Sequence, residues 1–318
     1  MSDAGANEAR FVWYYAPMSI VDLVGNTPLL EILQPKKNVR IFAKLEWFNP
    51  SGSVKDRAAT AMFMDALQKG QLENKILIDA TSGNTGIAYG MLGAAFNVPI
   101  ELALPANASS ERKLILENYG VKLHLTSPME GTDGAQKFVK ELAQKFPEKY
   151  YYPDQYNNDA NWKAHVDGTG PEIWQQTDRR VTHFIAGLGT TGTFIGTSRF
   201  LKTKGVTCVS VQPDTPMHGL EGWKHLETAL VPGIYDPTVA DETMEIGTED
   251  GYKIARAASR YLGVQLSPSS GANMAAAMTL AKRLDSGVIV TILPDNAMKY
   301  LNDPFWRDDD YLIQNPFN

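Results

Sequence analysis

The sequence predicts an α/β fold of mainly parallel sheets flanked by helices, arranged as two domains or as one large unit. The chain has 318 residues, of which 43% are hydrophobic, so it can bury more than one small core. Strand-like and helix-like segments alternate almost without interruption. This alternation is typical of parallel sheets covered by helices, with ligands bound at the carboxyl ends of the strands.

The predicted elements follow one another in a regular order. The segments "SIVDLVGNTPLLEI" and "VRIFAKLEWF" are predicted to be short strands. Further strands then each precede a helix, and a final strand closes the series: "KILIDA" before a helix near Thr85, "IELALP" before "SSERKLILENYG", "KLHLTS" before "GAQKFVKELAQKF", "THFIAG" before "GTFIGTSRFLKTKG", and last "VIVTILP". A domain boundary is predicted near the loop at residues 150–162.

Composition and charge restrict the class of protein. The net charge of -6 argues against a nucleic-acid or anionic-membrane partner, so an anionic ligand needs a local basic or amide-rich site. Cys208 is the single cysteine, which makes an intrachain disulfide impossible and a thiol-based metal site improbable. No metal site is predicted. The start of the chain lacks signal-peptide features and no apolar run reaches membrane-spanning length, so a cytoplasmic protein is expected.

The segment "NPSGSVKDRAA", residues 49–59, places a lysine where a helix disfavours one. Ser51 or Ser53 can cap a helix whose apolar spacing runs from Val54 to Leu67, so Lys55 falls in the first turn. A cation there loses about 0.3 to 1 kcal/mol against the helix dipole. A lysine that works as a neutral amine would tolerate this position, whereas the alternative is an ordinary solvated lysine.

Residues 187–193, "GLGTTGT", form a glycine-rich turn between a strand and a helix. Its glycines satisfy the dinucleotide pattern G-x-G-x-x-G, and Asp214 follows at the distance of a ribose-binding acid, so a nicotinamide cofactor is one interpretation. However, three threonine hydroxyls crowd the turn, which together with helix amides suits the oxygens of a terminal phosphate monoester. A turn that only packs a helix on a sheet is the third possibility.

Two further loops have the same character. "TSGNTG", residues 81–86, can bind a carboxylate through the amides of Ser82 to Thr85, while Asn84 can donate to a ligand hydroxyl or phenolate. It could equally be an ordinary capped turn. "LSPSSGAN", residues 266–273, opens a helix, and a plain N-cap is the favoured interpretation for Ser270. Together the loops and the lysine describe a ligand with a phosphate, a phenolic hydroxyl and an amine-capturing carbonyl.

Pyridoxal 5'-phosphate (PLP) has these features, and the sequence resembles the fold type II PLP enzymes of the cysteine synthase and cystathionine β-synthase family, which implies PLP as the cofactor. The resemblance runs from about residue 24 to residue 301 and rests on motifs in the family's order: "NPSGSVKDR", "TSGNTG", "TGPEIW", "GTTGT" and "SSGA". It implies a tryptophan synthase β-like fold with PLP in the cleft between two domains.

The resemblance also implies domain limits and an assembly. Residues 40–155 would form a smaller N-terminal domain, residues 18–39 and 156–305 a larger domain with the phosphate loop, and residues 1–17 and 306–318 terminal arms. The family is typically homodimeric, so a homodimer is expected.

Site residues are carried over by matching motifs. The resemblance implies that Lys55 carries PLP as a Schiff base and later takes the substrate's α-proton, for which burial should supply most of the pKa tuning. Cofactor-binding positions are Lys55, Asn84, Gly189, Thr190, Thr191, Gly192, Thr193 and Ser269. Positions for the substrate carboxylate are Thr81, Ser82, Gly83, Thr85 and Gln155.

Ser269 and Lys224 bear on the reaction. A neutral hydroxyl at the pyridine nitrogen leaves the ring a weaker electron sink, which favours β-replacement on an O-activated serine by a sulfur nucleophile to give L-cysteine. The segment "HGLEGWKHLETALVPGIYDP" departs from the family's small residues. We expect Lys224 there to favour O-phosphoserine over O-acetylserine, although an exposed lysine is the alternative.

Pro268 and Asn273 also flank Ser269 in an unusual way. Competing activities are cystathionine formation from homocysteine, serine or threonine dehydration and, distantly, a nicotinamide-dependent oxidoreduction.

Overall fold

The computed structural model describes residues 18–81, 83–307 and 315–317. The predictions for the arm at 1–17, for most of the arm at 306–318 and for Ser82 fall wholly or partly outside these residues. Within the described chain, strands and helices alternate as predicted. The α/β fold class is therefore confirmed.

The described strands form two sheets. In chain order they are Leu29–Lys36 (β1), Val39–Leu45 (β2), Ile76–Ala80 (β3), Ile100–Pro105 (β4), Lys122–Thr126 (β5), Tyr150–Tyr151 (β6), His183–Gly187 (β7), Thr207–Pro213 (β8), Glu242–Ile246 (β9) and Gly287–Leu293 (β10). One sheet has the order β1-β2-β10-β7-β8-β9 and the other β5-β4-β3-β6. Every pairing is parallel except that of β1 with β2.

Helices connect these strands and cover the sheets. The described α-helices are Lys55–Gln68 (α1), Asn84–Phe96 (α2), Ser110–Asn118 (α3), Gly131–Lys145 (α4), Asp159–Ala164 (α5), Gly170–Gln176 (α6), Gly192–Lys202 (α7), Thr248–Tyr261 (α8) and Pro268–Arg283 (α9). A π-helical turn, His165–Thr169, joins α5 to α6. Buried apolar side chains between sheets and helices form the core, and consecutive residues of β7 such as Phe184 and Ile185 are fully buried. Burial on both faces is characteristic of parallel sheets.

The sheet topology corrects one predicted domain limit. The boundary at residue 40 falls inside β2, and all of β2 pairs with β1 and β10 in the larger sheet. The resemblance implied a division at this point, but the six-stranded sheet takes most of its second strand, β2, from residues that follow it. The smaller sheet contains only strands between Ile76 and Tyr151, so the limit near residue 155 agrees with the topology.

In the N-terminal part of the described chain, local structure differs from the sequence prediction at two places. Residues Ile20–Leu23 form a 3-10 helix, and the first strand begins only at Leu29. Helix α1 begins at Lys55, so Lys55 lies in the first turn as predicted, but neither proposed serine is its N-cap residue, which is Val54. Ser53 Oγ instead accepts a hydrogen bond from the Lys55 amide at 3.2 Å, so it still satisfies a first-turn donor.

A buried ion network joins the start of α1 to the larger domain. Arg57 Nε lies 2.7 Å from Glu46 Oε2, and its Nη1 lies 2.7 Å from Glu172 Oε1. Lys44 Nζ contacts the other Glu172 oxygen at 2.7 Å. Thus two residues of the predicted motifs, Arg57 of "VKDR" and Glu172 of "TGPEIW", form one structural unit. This unit anchors the helix that carries Lys55.

Two negative findings apply to the described residues. None of their helices is both long enough and apolar enough to cross a membrane. In the same part of the chain, no group of three His, Cys, Asp or Glu side chains is placed to hold a metal ion.

Candidate active site

A cleft between the two sheets brings together most of the predicted cofactor residues. Its lining includes the predicted positions Lys55, Asn84, Gly189, Thr190, Thr191, Thr193 and Ser269. These residues come from the start of α1, the start of α2, the loop after β7 and the start of α9. Because these segments follow carboxyl ends of strands or open a helix, the cleft lies where an α/β fold binds ligands.

Lys55 occupies the first position of α1 and is half-buried. The turn before it is fixed to the larger sheet, since the Val54 amide donates to the Pro294 carbonyl at 2.8 Å. Desolvation lowers the pKa of the Lys55 amine, and the nearby Asp295 carboxylate opposes part of that change. Burial is thus the main cause, as the sequence analysis expected. The site therefore shifts the amine towards the neutral form that proton transfer requires.

The glycine-rich loop leaves polar atoms without protein partners. Thr191 has φ of 72° and is the N-cap of α7, and its Oγ1 is buried with no hydrogen-bond partner. Asn161 Oδ1 beside it is likewise buried and unpartnered, although Asn161 Nδ2 donates to Thr190 Oγ1 at 3.2 Å. Buried polar groups are normally paired, so these atoms indicate a ligand. An anion at the N-terminus of α7 would satisfy the hydroxyl.

The glycines of this loop have no room for side chains. A Cβ on Gly192 would lie 2.0 Å from Asn161 Oδ1, and one on Gly189 would lie 2.0 Å from the Gly222 carbonyl oxygen. The backbone is therefore held close to its neighbours on both sides. Free amides and hydroxyls in a space of this kind fit the phosphate group of PLP, which supports the phosphate interpretation of the motif.

A buried histidine that the sequence analysis missed supports the same loop. His165 Nδ1 shares a hydrogen bond with Thr169 Oγ1 at 2.8 Å, and its Nε2 lies 3.3 Å from Thr193 Oγ1. Burial is the largest cause that lowers the pKa of His165 to about 3, with the Arg57 charge adding to it. The imidazole is therefore neutral and links the π-helical turn to the phosphate loop.

The predicted carboxylate loop is built from two distant segments. Thr85 Oγ1 donates to Gln155 Oε1 at 3.0 Å, and Gln155 Nε2 donates to Asp79 Oδ2 at 3.3 Å. The Gly83 amide donates to Thr81 Oγ1 at 3.2 Å. Thr81, Thr85 and Gln155 are buried, whereas Ser82 is not among the described residues. The structure thus groups four of the five predicted positions beside the cleft.

The Asp79 carboxyl lies beneath this loop. Burial is the largest cause that raises its pKa to about 7.

Ser269 lies in the first turn of α9 and lines the cleft. The N-cap of α9 is Ser267, whose Oγ accepts from the Ser270 amide at 3.2 Å, so the prediction of Ser270 as the cap is wrong. Proline at the helix start shifts the cap one residue before it. Ser270 Oγ instead donates to the Asp295 carbonyl at 2.6 Å. Asn273 Oδ1 accepts from the Gly187 amide at 2.8 Å and thereby joins α9 to β7.

Lys224 lies apart from the cofactor lining. Its Nζ is 5.0 Å from the centre of the Tyr156 ring, and burial lowers the pKa of its amine while Asp133 opposes the change. Tyr156 and Asp133 also line a separate open cavity of about 680 Å³ between α4, the loop after β6 and residues 230–232. Lys224 therefore lies beside this cavity, and its chain neighbour Trp223 lines the cleft.

Several residues of the cleft had no sequence signal. Trp223 packs against Gly187 so closely that a Cβ there would lie 2.1 Å from the indole ring. Three further lining residues had no sequence signal either: Glu221, Gly222 and Tyr300. Only the departure of the 218–237 segment from the family's small residues pointed to this region, and it did not identify these side chains.

Comparison with known proteins agrees with this geometry. A family model described as pyridoxal-phosphate dependent enzyme matches residues 20–295. The chain is 53% identical over 304 residues to the cysteine synthase of Aquifex aeolicus (strain VF5), covering 92% of this chain and 93% of that protein. It is 38% identical over 295 residues to cysteine synthase B of Escherichia coli (strain K12), covering 91% and 96%.

A solved structure of a cysteine synthase shares the fold of this chain. The crystal structure of the cysteine synthase of Entamoeba histolytica has a TM-score of 0.87 at 32% identity, covering 98% of this chain and 95% of that one.

Proposed function

Because the chain belongs to the pyridoxal-phosphate dependent enzyme family, we propose that it synthesises L-cysteine from an O-activated L-serine and a sulfur nucleophile. The observation that carries this proposal is the convergence of Lys55, Asn84, Ser269 and the 189–193 loop on one cleft. PLP is the cofactor of the family, and when bound it supplies an electrophilic aldehyde and an electron sink. The same family membership removes the nicotinamide-dependent interpretation of "GLGTTGT".

Lys55 is the catalytic residue of this proposal. Its amine, whose pKa desolvation lowers, would take the α-proton of the substrate at Nζ. The first turn of α1 is fixed by the Val54 bond to Pro294 and by the Arg57 network, so the amine is presented from a rigid element. Rigid presentation favours the short proton transfer that the reaction needs.

The phosphate loop would hold the cofactor's anionic end. Thr191 Oγ1 would donate its unused hydrogen bond, and the amides at the start of α7 would contribute the dipole. Gly189, Thr190, Gly192 and Thr193 share this role. Asn84 would donate to the phenolic oxygen, and Ser269 would offer a neutral hydroxyl to the ring nitrogen.

The loop of residues 81–85 with Gln155 would bind the substrate carboxylate. The backbone amides of this loop lie at the N-terminus of α2, where the helix dipole favours an anion. The hydrogen bond from Thr85 to Gln155 keeps both side chains in place. Thr81, Ser82, Gly83, Thr85 and Gln155 are the residues of this subsite. A carboxylate bound here would fix the amino acid with its α-carbon towards Lys55.

In this proposal, Lys224 determines which leaving group on the serine substrate is preferred. A cation beside the 680 Å³ cavity and next to Trp223 of the cleft would pair with a departing phosphate, so O-phosphoserine is the substrate that Lys224 would favour over O-acetylserine. Turnover of both substrates in wild type and in Lys224→Ala tests this. We expect the variant to lose O-phosphoserine turnover selectively, and an unchanged substrate ratio would remove Lys224 from the subsite.

A product assay tests the function itself. The purified holoenzyme is incubated with O-acetylserine or O-phosphoserine and with sulfide, thiosulfate or homocysteine, and products are identified by mass spectrometry. We expect L-cysteine with sulfide, S-sulfocysteine if thiosulfate serves as the nucleophile, and neither product from Lys55→Ala. Cystathionine as the main product, or pyruvate without sulfur transfer, would favour the two alternative activities. A homodimer in the cytoplasm is part of the proposal and is tested by the mass of the native protein and by its cellular fraction.

A further inference from the structure

Lys299 reaches the edge of the cofactor cleft from a region outside the predicted motifs. It ends the 3-10 helix Ala297–Lys299, and its Nζ donates to Asn84 Oδ1 at 2.7 Å. The same ammonium donates to the carbonyl oxygens of Ser51 and Gly52, each at 3.2 Å. Thus one cation contacts both the turn that precedes Lys55 and the side chain assigned to the phenolic oxygen.

The other end of the Asn84 amide is held by a carboxylate. Asn84 Nδ2 donates to Asp295 Oδ2 at 2.8 Å, and Asp295 is 1% exposed. The same Asp295 oxygen accepts from the Tyr300 hydroxyl at 2.7 Å, which fixes the carboxylate in turn. Both ends of the amide therefore have a charged partner.

These two partners allow only one orientation of the amide. An ammonium has donors and no acceptor, so it must face the amide oxygen, and an ionised carboxylate only accepts, so it must face the amide nitrogen. The amide nitrogen carries two N–H groups, and Asp295 uses one of them. One N–H of Asn84 is then left for a ligand.

We propose that Lys299 is a positioning residue that locks the Asn84 amide so that its remaining N–H is offered to the phenolic oxygen of PLP. The inference rests on the proposed cofactor role of Asn84 and extends it to a residue that no motif identified. A fixed donor and a nearby cation both favour negative charge on that oxygen. Loss of Lys299 should therefore make deprotonation of the imine between protein and cofactor harder.

The charged groups around Lys299 are defined. Asp295 and Asp56 face it with negative charge and Arg112 with positive charge, and burial lowers the pKa of its amine against the effect of the two carboxylates. Removing Lys299 takes away one of the cations near the Asp295 carboxylate, while Arg112 remains. The loss of this positive charge also makes deprotonation of the imine harder, because a less compensated anion disfavours a second negative charge nearby.

Absorbance titration of the holoenzyme tests the inference. We expect Lys299→Met to raise the pKa of the protein–cofactor imine by about one unit, the size that a close charge partner gives. Lys299→Arg keeps the cation and its donors and should stay near the wild-type value. Lys36→Met is the matched control, since Lys36 Nζ also bridges two carbonyls, of Lys282 and Leu284, at 2.9 and 2.7 Å but on the protein surface.

A second background separates positioning from a merely structural role. If Lys299 acts through Asn84, Lys299→Met should shift the imine pKa in an Asn84→Ala protein by less than half its shift in the wild type. An equal shift in both backgrounds, or an unchanged pKa in Lys299→Met, overturns the inference.

A substitute variant is available. Lys299→Gln supplies the same comparison of imine pKa values if the methionine variant is unstable. A wild-type protein that shows no imine absorbance with PLP would instead contradict the proposed function.

Discussion

Thr85 and Gln155 are hydrogen-bonded at 3.0 Å although they lie 70 residues apart in the chain. The bond ties the first turn of α2 to the loop that follows β6, and Gln155 is held from behind by Asp79. Both side chains are buried. The proposed carboxylate subsite is therefore already formed by bonds within the protein, and its side chains come from two segments of the chain.

Substitution of Gln155 tests that subsite. We expect Gln155→Ala to raise KM for the amino-acid substrate about tenfold, which corresponds to about 1.4 kcal/mol for a hydrogen bond to a charged group. The kcat should change much less, because the proton-transfer residue is untouched. Gln176→Ala is the control, since Gln176 Nε2 bonds the Thr27 carbonyl at 2.9 Å away from the cleft. An unchanged KM in Gln155→Ala would exclude Gln155 from substrate binding.

The tight packing of Gly192 predicts a loss of cofactor affinity. A methyl group there would lie 2.0 Å from Asn161 Oδ1, so Gly192→Ala must displace the phosphate loop or the asparagine. We expect PLP to bind at least about tenfold more weakly, as measured by fluorescence titration. In the Asn161→Ala background the added cost of Gly192→Ala should shrink. Wild-type affinity in Gly192→Ala would show that the loop does not hold the phosphate.

The buried Arg57 predicts a large effect on stability. Arg57→Met leaves Glu46, which is fully buried, without its strongest partner, and should lower the free energy of unfolding by about 3 to 5 kcal/mol. Lys69→Met removes an exposed pair with Asp65 and should change stability by less than about 0.5 kcal/mol. Urea denaturation measures both. Equal effects of the two substitutions would contradict the role given to the network.

The neutral His165 predicts a pH dependence of stability. The pKa of His165 is about 3 when folded against an ordinary value of 6.5, so only the unfolded chain gains this proton as the pH falls below 6.5. The stability it contributes is complete above pH 6.5 and decreases towards pH 3. Between pH 7 and pH 5 we expect the contribution of His165 to the free energy of unfolding to fall by about 2 kcal/mol, because 1.36 kcal/mol accompanies each pKa unit.

The variant His165→Gln isolates this effect from the other titrating groups. Between pH 7 and pH 5 its free energy of unfolding should fall by about 2 kcal/mol less than that of the wild type. Asp79, whose pKa of about 7 in the folded protein lies above its ordinary value of 3.8, stabilises the protein as the pH falls through this range, and it does so equally in both proteins. Glu172 contributes in the same direction as His165 only at lower pH, since its pKa of about 2 places the loss below its ordinary value of 4.5. Identical slopes for wild type and variant would show that His165 is not kept neutral by the fold.

Local signals made much of the fold and site predictable. Lys55 in a first helical turn and the glycines and threonines of residues 187–193 are short-range patterns, and the structure places both at the cleft. Partners that come from distant segments were not predictable, because contact between them depends on the sheet order. Lys299, which reaches Asn84 across 215 residues, is the clearest example.

The predictions of the domain limit at β2 and of the N-cap of α9 were wrong for related reasons. β2 pairs with a strand near the end of the chain, and this non-local pairing has no counterpart in the local pattern. Ser267 rather than Ser270 caps α9 because Pro268 is pre-organised for the first helical position. In both cases a competing structural preference decided the outcome.

The most direct test of the account is the site of attachment of PLP. The holoenzyme is reduced with borohydride, digested and examined by mass spectrometry, with Lys55→Ala treated in the same way. The account predicts a pyridoxyl adduct on the peptide that contains Lys55 and none in the variant. An adduct on a different lysine, or no adduct in a wild-type protein that retains its cysteine-forming activity, would contradict it.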